Sequence, residues 1–189
     1  MGEKIRVMID GQEKFYDQGI SYEEIAKEYQ ERFDGQIALV SVNGKIRELF
    51  KRLKRDCELS FFTLKDNIGY QTYVRTATML FLKAVNDVFG REDARKCRVE
   101  FAIGDGIFIC PWGTLQASEE NAKRIEQRMG ELVEKKLPFW KRSYPLDDAM
   151  ELFAANGMKD KEKLFRYRRS SAVNIYELDG YYDYYYGYM

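Results

Sequence analysis

Whatever chemistry this chain performs, it performs without histidine, which occurs nowhere in its 189 residues. That excludes the commonest zinc ligand, the commonest general acid/base, and every Ser-His or Cys-His nucleophile. Cys57, Cys97 and Cys110 stand far apart with no C-x-x-C pair, so they read as reduced thiols and not as a disulfide or zinc framework. Cys110, beside Pro111-Trp112, has no adjacent base to activate it. No G-x-x-x-x-G-K-[ST] run is present to cradle the phosphates of ATP. What remains is suited to binding. "KIRELFKRLKR" holds six basic residues and one acid between Lys45 and Arg55, and "KDKEKLFRYRR" holds six against two between Lys159 and Arg169. Such stretches are solvated faces or, with Phe50, Leu53, Phe165 and Tyr167 interleaved, a surface for a phosphate backbone. The last nine residues, "YYDYYYGYM", contain six tyrosines. Tyr185, Tyr186 and Tyr188 either cover a core edge or line a cleft where a base could stack, a contact of roughly 1–3 kcal/mol per base.

These groups must be held by elements that the patterning outlines. "KIRVMIDGQEKFY" alternates as two strands about Asp10-Gly11. Ser21 and Glu24 have capping-box spacing ahead of a short helix whose buried face is Tyr22, Ile25, Ala26 and Tyr29. "IALVSVNGKIREL" gives two strands about Asn43-Gly44, and "CELSFFTL" a last one. This order, wrapped on one helix, predicts a small β-grasp domain over 1–65. Over 66–189 the rhythm lengthens. "YQTYVRTATMLFLKAVNDVF" carries a helical apolar stripe ending at Gly90, and "RVEFAIGDGIFIC" is a hairpin through Gly104-Asp105-Gly106. Ser118 caps a helix with Ile125, Met129, Leu132 and Val133 inward, and Glu119-Glu120 and Asp147-Asp148 stand as acidic pairs at helix starts, where the dipole favours them. A third helix closes at Gly157, a basic fourth follows, and one or two strands surround Asp179-Gly180. The fold class is α+β in two domains.

Composition sets the outer limits. With 45% apolar residues, 15% aromatic, and 31 basic against 31 acidic side chains, the chain has material for a packed core and no global field toward nucleic acid or anionic lipid. "MGEKIRVMID" enters a strand at once, leaving no room for a signal peptide, and no apolar run approaches the roughly 20 residues of a membrane span. The expectation is a cytoplasmic protein with no membrane partner.

"VNGKIREL", "RTATMLFLKAV" and "IEQRMGELVEKKLPFWKRSYPLDDAMELF" together resemble the two N-terminal domains of threonyl-tRNA synthetase, a TGS domain and an editing domain. The resemblance covers nearly the whole chain. It implies a metal site made by two histidines at i and i+4 on the long helix and a C-x-x-x-H near the domain's end. Here Met79 and Lys83 stand at the first pair of positions, and Tyr185 and Met189 at the second. These side chains make no zinc site. The family's G-F-Y-Y-D strand is reduced to Gly106, Ile107, Phe108, Ile109 and Cys110.

"YVRTATMLFLKA", "MKDKEKLFRYRRSSAVNIYELDG" and "DYYYGYM" look more closely like the N-terminal region of bacterial uridine kinase-like nucleoside kinases, whose TGS and degenerate synthetase-type domains precede a P-loop kinase domain. This implies that the chain continues past Met189, that ATP and Mg belong to the missing kinase domain with no cofactor here, and that the partners are that domain, a nucleotide or structured RNA. It also implies a non-catalytic recognition or regulatory module. The alternatives are an editing deacylase or an RNA-binding module. The candidate ligand-binding residues are Arg75, Lys83, Asp183, Tyr185 and Tyr186. Lys83 points into the old pocket to meet an anion, pairs with Asp183, or, as its long stem favours, snorkels to solvent. Arg75, eight positions earlier on nearly the same helix face, extends a basic wall or sits in a structural ion pair.

Overall fold

The computed structural model describes residues 4–104, 106–111 and 115–189. By compactness the chain divides into two units, 1–76 together with 187–189, and 77–186.

The first unit is built on a five-stranded sheet. Its strands are β1 (Lys4–Ile9), β2 (Gln12–Asp17), β3 (Ile37–Val42), β4 (Lys45–Glu48) and β5 (Cys57–Thr63), ordered β2-β1-β5-β3-β4. Adjacent strands run antiparallel except β1 and β5, which pair in parallel with Val7 opposite Cys57. Both hairpin dipeptides behave as expected. Asp10-Gly11 and Asn43-Gly44 take positive φ at both residues, the backbone a two-residue turn needs to follow the strand twist. Helix α1 (Tyr22–Tyr29) starts at the expected capping box: Ser21 Oγ accepts from Glu24 N, and the Glu24 carboxylate accepts from Ser21 N at 3.0 Å. It lays Tyr22, Ile25, Ala26 and Tyr29 on Ile5, Val7, Ile9, Leu59 and Phe61 of the sheet. Strand period 2 and helix period 3.6 converge there on one core. Beyond β5 the backbone remains hydrogen-bonded. Leu64 N donates to Gln36 O at 2.9 Å, Asp66 N to Thr63 O at 3.1 Å, and the Asp66 carboxylate accepts from Thr63 N at 2.6 Å. At Gly69 a Cβ would lie 2.0 Å from the Thr63 carbonyl oxygen, so only glycine lets the next helix approach this closely.

Helix α2 (Asn67–Phe89) is followed by α3 (Arg91–Lys96), the hairpin β6 (Cys97–Ile103) and β7 (Gly106–Pro111), α4 (Glu119–Glu134), β8 (Trp140–Pro145), α5 (Leu146–Ala155), α6 (Lys159–Arg166), β9 (Ala172–Leu178) and β10 (Tyr181–Asp183). β9 sits between β8 and β10, antiparallel to both. Ser118 caps α4 as expected, its Oγ accepting from Asn121 N at 3.2 Å. Helix α5 packs Ala149 and Phe153 on Phe165, Val173 and Ile175, while α4 packs Ile125 and Leu132 on Ala84, Val85 and Ala94. Elements α3 and β8 have no counterpart in the sequence reading. The first offers a single buried apolar residue, Ala94, and the second is largely exposed, so neither carries a legible period. Asp105 and Trp112, singled out in the sequence, lie outside the described residues. Among the described residues no helix is long and apolar enough to cross a membrane.

Candidate functional site

Met79 and Lys83 lie one turn apart on α2, and the fold buries both, Met79 completely and Lys83 to 6% exposure. A lysine this deep needs anions. Its Nζ lies 2.7 Å from Asp87 Oδ1, one turn further along α2, and 3.4 Å from Asp179 Oδ2. Asp179 opens the β9–β10 turn at positive φ. The second Asp87 oxygen accepts from Arg128 of α4, through Nε at 3.0 Å and Nη2 at 2.8 Å, and Arg128 Nη1 reaches Glu131 at 2.8 Å. Burial by itself would raise the Asp87 carboxyl, but Lys83 and Arg128 together hold it below its usual range. Lys83 therefore does not snorkel, and its carboxylate partners are Asp87 and Asp179 where Asp183 was the expected one. Among the described residues no group of three or more His, Cys, Asp or Glu is placed to hold a metal ion.

Asp183, 3% exposed, ends β10 and pairs with Lys161 of α6 at 2.8 Å, while accepting from Tyr184 N at 2.7 Å. Tyr185 makes an edge-to-face contact with Tyr176, centroids 6.4 Å apart, and buries a hydroxyl that has no hydrogen-bond partner among the described residues. Burial, then the nearby charge of Asp183, holds this phenol well above its usual range, so it stays protonated. Tyr186 stands 82% exposed. In the first unit, Arg75 donates from Nη1 to the carbonyl of Tyr188 at 3.2 Å and packs on Gly187, where a Cβ would come within 2.8 Å of the guanidinium. Met189 lines, with Ala26, Leu49 and Phe50, a pocket of about 320 Å³. Cys57 and Cys97 are both pushed up by burial, which keeps them as thiols and not as nucleophiles.

The basic stretch after the β3–β4 turn takes a different form. Lys45, Arg47, Lys51, Arg52, Lys54 and Arg55 are all exposed along the edge strand β4 and the loop to β5. Their interactions are local: Arg52 donates to the Gly19 carbonyl at 2.7 Å, Arg47 to the Ile46 carbonyl at 3.1 Å, and the Lys51 ammonium lies 4.8 Å from the exposed Phe50 ring. None of the six makes an ion pair among the described residues. Buried Leu53, donating from N to Ile20 O at 2.8 Å, pins the loop. A rigid apolar footing thus carries a row of uncompensated cations. The sequence reading missed one further feature, a groove of about 740 Å³ lined by Phe81, Ile107, Ile109, Leu115, Ile125 and Met129. Its signal was present in the apolar side chains of β7, which a two-stranded sheet cannot bury by itself.

Over 177 residues, 92% of its length, the chain is 33% identical to the threonine–tRNA ligase of Thermotoga petrophila, covering 26% of that protein. It is 34% identical over 154 residues to the threonine–tRNA ligase of Thermotoga maritima, covering 79% of this chain and 23% of the ligase. It is 26% identical over 174 residues to that of Desulfatibacillum aliphaticivorans, covering 92% of this chain and 26% of the ligase. The chain spans about a quarter of the length of the curated relatives it matches. No protein-family model matches it. These relatives support the likeness to the TGS and editing-type region of threonyl-tRNA synthetase, and they lend nothing to a uridine-kinase parent.

Proposed function

We propose that this chain is a synthetase-like module that binds tRNA or a similarly structured RNA through the surface of Lys45, Arg47, Lys51, Arg52, Lys54 and Arg55, and that it hydrolyses no aminoacyl ester. The observation that carries the binding half is the set of six exposed cations that make no ion pair among the described residues, in a chain whose formal charges balance. Local uncompensated charge on a fixed backbone is what phosphate contact requires, because neutralising phosphates releases their condensed counterions. The non-hydrolytic half rests on the place where the resembling family holds its metal. There Lys83 occupies the interior and engages the carboxylates of Asp87 and Asp179, so an ammonium stands where the resembling family would hold its metal. A regulatory role toward a nucleoside kinase domain rests on the sequence resemblance alone. The ligases named above place a synthetase context ahead of it.

The test is direct. Binding of an unmodified tRNA is measured across a salt series with the 189-residue chain, and hydrolysis of a mischarged tRNA is followed in parallel. The expected result is a steep linear fall of log affinity with log salt and no ester cleavage above background. Affinity independent of salt would remove the RNA reading, and turnover of the ester would establish the deacylase instead.

A further inference from the structure

We infer that the 77–186 unit carries an anion site for a phosphoryl group, formed by Arg91 and Arg95 with Asn86, Asn156 and Tyr181 around a small pocket. The pocket opens where the end of α2, helix α3, the turn after α5 and the β9–β10 turn meet. Its volume is about 30 Å³, room for roughly two water-sized groups. That admits one or two oxygens of a tetrahedral anion seated at the mouth and excludes a nucleobase. The polar complement is one-sided: two guanidinium groups, two side-chain amides and the two tyrosines Tyr181 and Tyr182, with no carboxylate in the lining.

Arg95 supplies the strongest reason to expect an anion. Its Nη1 is engaged by Glu92 at 2.6 Å, but its Nε is buried and has no hydrogen-bond partner among the described residues. A buried guanidinium N–H left unmade costs the full desolvation of that donor, so a site of this kind is stabilised by an acceptor from outside the chain. The guanidinium is held in place by Gly157. That residue has φ +67°, and a Cβ there would lie 2.5 Å from the Arg95 Cζ, so the arginine lies flat on the glycine backbone. Arg91, exposed at the rim, forms no ion pair among the described residues. Asn156 donates from Nδ2 to the Leu152 carbonyl at 2.8 Å, which fixes the amide plane within the lining. A tetrahedral oxyanion would accept from Arg95 Nε inside and from Arg91 at the mouth, both charge-assisted. The site shares no residue with the basic surface of the first unit, and it stands or falls independently of the RNA reading.

The experiment titrates inorganic phosphate into the 189-residue chain at constant ionic strength, with chloride as the control, and follows the arginine Nε–Hε resonances by NMR. The Arg95 resonance is expected to shift saturably with phosphate and not with chloride. Arg91→Ala, a change at an exposed rim, is expected to weaken binding roughly tenfold, the size of one charge-assisted hydrogen bond. Arg95→Gln is expected to abolish it, while Lys123→Ala on α4 leaves it unchanged. Competition by a nucleoside 5′-monophosphate assigns the site to free phosphate esters. Competition by an RNA oligonucleotide lacking terminal phosphates assigns it to the nucleic-acid backbone. Either supports the site. An Arg95 resonance that fails to move, or a shift retained in Arg91→Ala at full affinity, would overturn it.

Discussion

Residues 45–55 and 159–169 each carry six cations, and the fold treats them differently. In the second stretch Lys161 reaches the buried Asp183 at 2.8 Å, Arg166 pairs with Glu162 at 2.5 Å, and Arg168 donates to the Tyr184 hydroxyl with its guanidinium 5.1 Å from that ring. Three of its six cations are thereby engaged by side chains of α6, of β10 or of the segment after it. In the first stretch all six are exposed and none makes an ion pair among the described residues. The difference comes from what surrounds each stretch. Helix α6 lies beside the acidic end of β10, whereas β4 is an edge strand whose sheet neighbour, β3, contains no acid. Edge strands with lysine and arginine resist pairing with another strand, and the same placement leaves the charges available to a ligand.

The largest effect expected from this contrast is on RNA. Replacing Lys45, Arg47, Lys51 and Lys54 together with glutamine should lower the salt slope of RNA binding by about 3, from roughly 0.7–0.9 per phosphate contact, and weaken affinity about a hundredfold or more at low salt. Replacing Lys161, Arg166 and Arg168 should leave the slope nearly intact. Equal slopes from the two sets would erase the distinction.

Next in size is the stability of the engaged stretch. Lys161→Ala leaves the Asp183 carboxylate buried and uncompensated, a loss of about 3 kcal/mol that lowers the melting temperature by roughly 6–12 °C in a chain of this length. Lys51→Ala, by contrast, should stay within about 0.5 kcal/mol. A melt of Lys161→Ala that overlays the parent would mean that the pair contributes nothing.

Lys83 extends the comparison to a lysine that is wholly interior. Asp87→Asn removes the charge that Lys83 and Arg128 share and leaves one oxygen where each has its own, and should cost about 2 kcal/mol near neutral pH, the scale of hydrogen bonds to charged groups. The folded-state carboxyl of Asp87 lies below its unfolded value, so the stability it contributes is present above the unfolded pKa and is lost as pH falls through the folded one. The parent and Asp87→Asn should therefore converge in acid. Denaturant melts that remain apart below the carboxylate range would contradict the Asp87 assignment.

The smallest effect is at Tyr185. Its hydroxyl is buried without a hydrogen-bond partner among the described residues, so Tyr185→Phe removes a desolvated group and should be neutral or stabilising by up to about 1 kcal/mol. A clear loss of stability would show that the hydroxyl has a partner in solution.

The division that the patterning predicts at 65/66 is tested by limited proteolysis, and segment 65–69 is not expected to be cut first. The hydrogen bonds of Thr63, Leu64 and Asp66 and the tight seat of Gly69 oppose cleavage there.

By itself the sequence determined what is local. Asp10-Gly11 and Asn43-Gly44 fix hairpins because few other dipeptides accept two positive φ values. Ser21 with Glu24 fixes the start of α1 because their groups satisfy each other's backbone donors, and the alternation of Ile5, Val7 and Ile9 fixes one face of β1. The absence of histidine removed whole classes of mechanism before any coordinate was known. Tertiary structure decided what depends on residues distant in the chain. It showed that Lys83 meets Asp179 and shares Asp87 with Arg128, that Asp183 answers Lys161, and that the cations of 45–55 make no ion pair among the described residues. It also brought Arg91 and Arg95 beside Asn156 and Tyr181, none of which stands in a motif. The physical reason is range. A turn or cap is set by steric and hydrogen-bonding terms within a few residues, whereas the state of a charge depends on which opposite charges and how much water the folded chain brings within a few ångströms, and that is fixed only when the elements pack.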